Sequence, residues 1–353
     1  MSSIRAYAYQ CRAPRQALTR FEFEIAPPGD DDVVVAIAGC GLCHTDLSFF
    51  TGDVAPRKKL PIVLGHEISG TIVAAGAAHR GLLDRQVIVP AVLPCGSCDM
   101  CRKGRGNACR SQLMPGNDFD GGFASHIVVP GRHVCPVPKD MGGHRLCELS
   151  VIADAVATPY QALKRSRLET GDVAVVVGVG GIGIYMVQVA RSAGGRVVAI
   201  DVEDRKLETA RHAGAEHAIN ARHLGEGDVR KEVKRWVEAQ GLGAWGWKVF
   251  ETSGTAAGQL TAYSLLTFAG TLGVVGFTMD KVNVRLSNVM AFDADIFGNW
   301  GCLPEYYPDI VRDVVAGRIN VRDHIEEHPL DAINDVIPLA LEHRIERRVV
   351  FVP

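Results

Sequence analysis

The run VAVVVGVGGIGIYMVQVARSAGG at 173–195 constrains the fold more than any other stretch of the chain. An apolar strand passes directly into G-x-G-x-x-G, which opens a helix, and a parallel sheet that cradles a dinucleotide needs that order. Gly178 supplies the tight turn, Gly180 lets the backbone approach a pyrophosphate, and Gly183 permits close helix packing. Gly181 and Ile182 complete a loop whose amides can face phosphate. Asp201 stands 23 positions after Gly178, at the end of the next apolar run, RVVAID. A carboxylate there accepts hydrogen bonds from ribose hydroxyls and repels a 2′-phosphate, so NAD is expected over NADP. Arg205 and Lys206 nearby keep the phosphate alternative open.

The strand and helix rhythm continues through HAIN (217–220), VFET (249–252) and TLGVVG (271–276), which indicates a doubly wound parallel sheet. Earlier the pattern differs. VVVAIAG (33–39), ISGTIVAAG (68–76) and RQVIVPAV (85–92) are short β-rich runs broken by Gly, Pro and Asp, as in an antiparallel barrel. With 353 residues the chain exceeds the size of a typical single core, so two domains are expected. From about Trp300 a helix (306–316), a polar loop and a final strand RVVFVP (348–353) follow, and this tail is free to rejoin the first domain.

Ten cysteines raise the question of redox compartment. The opening MSSIRAYAYQ lacks the basic-then-apolar pattern of a signal peptide, so a cytoplasmic location and reduced thiols are expected. No window is apolar for the length of a membrane span, and a net charge of −2 without a long basic run points to small molecules as ligands, not to nucleic acid or membrane. Four of the thiols, Cys95, Cys98, Cys101 and Cys109, stand as C-x2-C-x2-C-x7-C in LPCGSCDMCRKGRGNACR. Thiolates so spaced wrap one zinc ion tetrahedrally and leave no place for substrate, which makes this a structural site. The alternative, four packed core thiols, fits poorly with the turn glycines Gly96, Gly104 and Gly106 and the charged Lys103 and Arg105. Cys11, Cys135, Cys147 and Cys302 belong to no motif and are expected to be packed thiols.

GCGLCHTDLSFF (39–50) and LGHEISG (64–70) bring forward Cys43, His66 and Glu67, with Cys40 as a competitor. A Cys and His pair alone is ordinarily core packing. Together with the four-cysteine knuckle and the later glycine fingerprint, however, these motifs resemble the zinc-containing medium-chain alcohol dehydrogenase family in order and interval over nearly the whole chain. The resemblance implies a GroES-like antiparallel β-barrel catalytic domain (1–156), a Rossmann dinucleotide-binding domain (157–292) and a return of the chain to the catalytic domain (293–353). It also implies two zinc ions per chain, NAD, and a homodimer or homotetramer paired through the nucleotide domain.

The catalytic zinc of that family maps onto Cys43, His66, Glu67 and Asp154. Asp154 lies in ADAVATPYQAL (153–163), where many relatives carry a Cys; an N-terminal helix cap is its other reading. Thr45 takes the position of the hydroxyl that receives the alcohol proton, and His44 approaches the pyrophosphate. Lys206 is assigned to the adenosine ribose and Arg347 to a phosphate, with Arg344 and Arg348 as alternatives to Arg347. The family's outer relay histidine is replaced by Thr51, which puts that proton path in doubt.

Within the family, DFDGGFASHIVVP (118–130), Asp154 and NWGCLPEYYPDIVRDVVAGRI (299–319) most resemble the dehydrogenases of 6-hydroxycyclohex-1-ene-1-carbonyl-CoA, from anaerobic benzoyl-CoA degradation. This implies oxidation of a ring secondary alcohol to the 6-oxo compound. Arg57, Lys58 and Lys59 are candidates for the CoA phosphates, against the simpler reading of a solvated loop. Two other functions stand beside it: an alcohol or polyol dehydrogenase with a CoA-free substrate, and a catalytically silent nucleotide-binding relative.

Overall fold

A computed structural model describes residues 3–353. The chain divides into two compact units, one made of residues 1–157 and 301–353 and the other of residues 158–300.

The second unit is built on six parallel strands. Across the sheet they lie in the order His217–Asn220, Arg196–Asp201, Val173–Val177, Lys248–Glu251, Thr271–Val274 and Asp295–Gly298. Numbered along the chain that order is 3-2-1-4-5-6, the dinucleotide-binding arrangement, and it reverses direction between Val173–Val177 and Lys248–Glu251. The first of those strands is wholly apolar and the second apolar at its centre, because the sheet is covered on both faces: Val173, Val175, Val177, Val249 and Phe250 are all buried. The glycine loop leaves the first of them at the reversal, where ligands enter open parallel sheets. Helix Gly183–Ser192 follows at once.

The first unit holds a seven-stranded sheet in the order Ile325–Pro329, Arg348–Val352, Asp32–Gly41, Glu67–Ala75, Gln86–Val89 and Cys135–Pro136, with His126–Pro130 also paired to Asp32–Gly41. All its pairings are antiparallel except Ile325–Pro329 with Arg348–Val352. A smaller sheet joins Ile4–Cys11 to Thr19–Ile25 and Ile62–Val63. Val33, Val35, Ile68, Ile72, Val87, Phe123 and Phe351 form a shared core.

Two parts of this unit differ from the sequence reading. The stretch expected to be a polar loop between 316 and 348 contains strand Ile325–Pro329 and helix Ile333–Leu341. HIEEHP carries its charge on an edge strand, and Pro338 sits inside the helix, so neither element shows its usual pattern. The final strand, Arg348–Val352, lies between this edge and Asp32–Gly41, which places the end of the chain inside the first unit.

Candidate functional site

Among the described residues, two groups of metal-ligating side chains converge, and both lie in the first unit. In the knuckle, Cys98 Sγ is 3.5 Å from Cys101 Sγ and 3.6 Å from Cys109 Sγ, and Cys95 Sγ is 3.9 Å from Cys101 Sγ. Four sulfurs bound tetrahedrally at about 2.3 Å would be about 3.8 Å apart, whereas a disulfide needs about 2.05 Å. All ten cysteines are free thiols. Backbone N–H groups of Ser97 and Cys98 lower the Cys95 pKa to about 6, while burial raises that of Cys101 to about 12. The donor set fits zinc and, having no further opening, fits a structural role.

The second group is assembled from distant segments. Cys43 caps the N-terminus of helix His44–Thr51, His66 and Glu67 enter strand Glu67–Ala75, and Asp154 ends the 3-10 helix Leu146–Ala153. One ligand atom from each of Cys43, His66, Glu67 and Asp154 lies within 4.8 Å of all the others. Asp154 Oδ2 is 3.7 Å from Cys43 Sγ and 3.6 Å from His66 Nε2. Cys40, the competitor, points elsewhere: it is wholly buried, with its Sγ against Gly65 and Gly122.

Asp46 is a residue that motif reading passed over. It is buried, its Oδ2 accepts from Cys43 N at 3.0 Å, and its Oδ1 accepts from Gly65 N at 2.9 Å and lies 3.2 Å from His66 Nδ1. One carboxylate thus caps the helix that carries Cys43 and turns the His66 ring so that Nε2 faces the cluster. The signal was its place three residues after Cys43, the third position of a capping box. Burial alone pulls the His66 pKa down, but the Asp46 charge and the hydrogen bonds the ring makes to Asp154, Asp46 and Cys43 outweigh it and hold it well above the ordinary value. The pocket therefore favours positive charge. A divalent cation meets that demand with one thiolate, one imidazole and the carboxylates.

Glu67 is also fully buried, and burial lifts its pKa to about 7 against the opposing charge of Arg348. Its Oε1 accepts from Arg348 Nη1 at 2.9 Å, and its Oε2 has no hydrogen-bond partner among the described residues. An orphaned buried carboxylate oxygen beside three ligand atoms fits an intermittent fourth ligand.

The C-terminal arginines separate cleanly. Arg347, assigned to a cofactor phosphate, is exposed, and Arg348 is buried and bonded to both Glu67 Oε1 and Leu42 O. Thr45 Oγ1 lies 3.8 Å from Cys43 Sγ, and His44 is exposed on the first turn of the same helix. Thr51 Oγ1 lies 2.7 Å from Asp53 Oδ2 and 3.2 Å from Ser48 O.

In the second unit the glycines of the fingerprint divide by cause. A Cβ on Gly178 would come within 2.5 Å of Ser253 Cα, and one on Gly183 within 1.8 Å of Gly178 O. Packing explains both. A Cβ on Gly180 would meet nothing within 4 Å, so packing within the chain does not account for that glycine. Asp201 Oδ2 accepts from Val179 N at 2.8 Å, and Oδ1 from Val202 N at 2.7 Å and Glu203 N at 3.1 Å, which fixes the carboxylate at the strand end beside the loop. Gly181 is exposed and Ile182 half-buried in that loop. Lys206 Nζ pairs with Glu203 Oε1 at 2.7 Å.

Comparison with known proteins matches residues 29–139 to the alcohol dehydrogenase GroES-like domain and residues 181–316 to the zinc-binding dehydrogenase family. An alcohol dehydrogenase of Geobacillus stearothermophilus is 31% identical over 90% of this chain and 91% of its own length. A sorbitol dehydrogenase of Bacillus subtilis (strain 168) is 27% identical over 90% of this chain and 88% of its own. The crystal structure of the alcohol dehydrogenase from Aeropyrum pernix superposes with a TM-score of 0.86 at 29% identity, covering 98% of this chain and 100% of that one.

Proposed function

The chain belongs to the zinc-binding alcohol dehydrogenase family, and on that premise we propose that it oxidises a secondary alcohol to a ketone with NAD, using Cys43, His66, Asp154 and intermittently Glu67 to hold a catalytic zinc. The observation that carries this is the meeting of those four side chains from distant segments, with Asp46 aiming the imidazole. When bound, zinc supplies Lewis acidity that lowers the pKa of an alcohol. The oxidation releases a hydride to nicotinamide and a proton to the protein. Thr45 Oγ1, adjoining Cys43, takes up the proton and hands it outward. Thr51 is turned to Asp53 and Ser48, so the outer part of the route runs through solvent or His44. Gly178, Gly180, Gly181, Ile182 and Gly183 receive the pyrophosphate, and Asp201 the ribose hydroxyls. Lys206 and Arg347 remain proposed cofactor contacts; the burial of Arg348 on Glu67 favours for it a role at the metal cluster.

The finer substrate proposal is a ring alcohol beside an enoyl-CoA thioester, and its support is the likeness of residues 118–130 and 299–319 to enzymes of that kind. The cationic loop adds little to it. Arg57 Nη1 lies 3.2 Å from Asp118 Oδ1 and Lys58 Nζ 2.6 Å from Asp120 Oδ1, so two of the three cations tie their loop to the neighbouring one. A panel of alicyclic acyl-CoA alcohols, simple secondary alcohols and polyols, run with NAD and with NADP, tests the reading. The acyl-CoA alcohol with NAD is expected to give the highest kcat/KM. Equal or better turnover of a CoA-free alcohol would replace this substrate, and an NADP preference would remove Asp201 from its role.

Self-association is a further part of the proposal. Strand Asp295–Gly298 ends the six-stranded sheet with an open edge, and Ile296 on it, with Leu286, Met290 and Trp300 close by in the sequence, is an exposed apolar side chain of the same unit. Two copies pairing along this edge would cover them. Ile296→Lys is expected to shift the sedimentation of the protein toward the monomer; unchanged sedimentation would place the interface elsewhere.

A further inference from the structure

Asp154 supplies a ligand atom from an irregular stretch of backbone. It closes the 3-10 helix Leu146–Ala153 at φ −140° and ψ −56°, outside any ladder that would fix its direction. Its carboxylate is therefore aimed by the peptide plane that precedes it, Ala153–Asp154. That plane is held from two remote points. Ala153 O accepts from the Ala91 N–H at 3.3 Å and from the Tyr307 hydroxyl at 2.5 Å. The amide contact is long, so the phenol is the stronger of the two holds.

Tyr307 is fully buried and begins helix Tyr307–Val315, in the segment that belongs to the first unit after residue 300. A buried phenol needs a partner, and here it is the carbonyl next to a metal ligand, not a carbonyl of its own helix. Metal sites tolerate errors of only about 0.2 Å in ligand distance, so a small rotation of this plane is felt at the ion. We propose that Tyr307 is a positioning residue for the catalytic zinc, holding the Ala153–Asp154 peptide so that Asp154 Oδ2 faces Cys43 and His66. The proposal rests on the metal reading given above.

The test is metal affinity in the full chain. Wild type and Tyr307→Phe are stripped of the exchangeable ion by chelator and titrated with zinc or cobalt(II), with the knuckle ion as an internal control. Tyr307→Phe keeps the ring and removes the donor, so the second ion is expected to bind roughly tenfold more weakly, with altered cobalt(II) absorption bands and an unchanged knuckle. Tyr307→Met should repeat the loss with different packing. In an Asp154→Ala background, where the second ion is already weakly held, Tyr307→Phe should weaken its binding no further. Unchanged affinity and unchanged bands in Tyr307→Phe would overturn the proposal, as would equal weakening at both ions, which marks a general structural role. A wild-type chain that takes up one ion only would instead overturn the underlying assignment of Cys43, His66 and Asp154.

Discussion

Asp154→Ala is expected to leave the chain with one tightly held zinc in place of two and to lower kcat/KM by about 10³-fold or more. The carboxylate touches both Cys43 Sγ and His66 Nε2, so its removal takes away one of three permanent ligands and part of the negative charge that recruits the ion. Lewis acid assistance is worth several kcal/mol, and about 4 kcal/mol corresponds to about 10³ in rate. Folding should not suffer. Without an ion, Asp154, Asp46 and Glu67 crowd one pocket as like charges, and the Asp154 charge is among the causes that raise the Glu67 pKa. Its removal relieves that repulsion but also takes the carboxylate from His66 Nε2, so the two effects oppose and the metal-free variant is expected to melt close to the metal-free wild type. Metal analysis, steady-state kinetics and thermal unfolding of both proteins give the answer. Two zincs and normal turnover in the variant would remove Asp154 from the ligand set.

Cys109→Ser should act in the opposite sense, on stability before chemistry. Cys109 is the fully buried member of the knuckle, and its Sγ also accepts from Cys95 N at 3.5 Å. Little else closes this lobe: its one α-helix is the four-residue Asp99–Arg102, and Gly96, Ser97, Asp99, Met100 and Arg102 to Arg105 are exposed. Structural zinc contributes about 10–16 kcal/mol in isolated fingers, and here the larger scaffold limits the cost to the local part of that. A loss of about 3–5 kcal/mol would lower Tm by about 10 °C in a unit of this size. Loss of one zinc, a lower Tm and new proteolytic cleavage between residues 95 and 109 are expected together. Retention of both ions with unchanged melting would mean that Cys109 is not a ligand of the knuckle ion.

What could be read from the sequence followed the range of the interactions. The knuckle and the glycine loop are local, so their spacing carries their geometry, and the alternation of strands and helices from Val173 to Val274 follows from burial on both sheet faces. The catalytic cluster is not local: 111 residues separate Cys43 from Asp154, and only a family pattern joined them. Asp46 was missed because a helix-capping carboxylate has an ordinary local explanation that conceals its second bond to His66. Between Arg347 and Arg348 the difficulty was register. Successive strand residues face opposite ways, and one step decides which guanidinium enters the core. Strand Ile325–Pro329 and helix Ile333–Leu341 stayed hidden because edge charges and an internal proline contradict the usual periodic signals.

The position of Arg348 also has a consequence for biosynthesis. Glu67 is translated early, while its guanidinium partner lies on strand Arg348–Val352. A nascent chain completes all six strands of the inserted unit before it can complete the pocket proposed to hold the ion. The Glu67 pair is thus closed only when Arg348 emerges, 281 positions after Glu67, and a chain cut short before it carries the early carboxylate without the group that tames its buried charge.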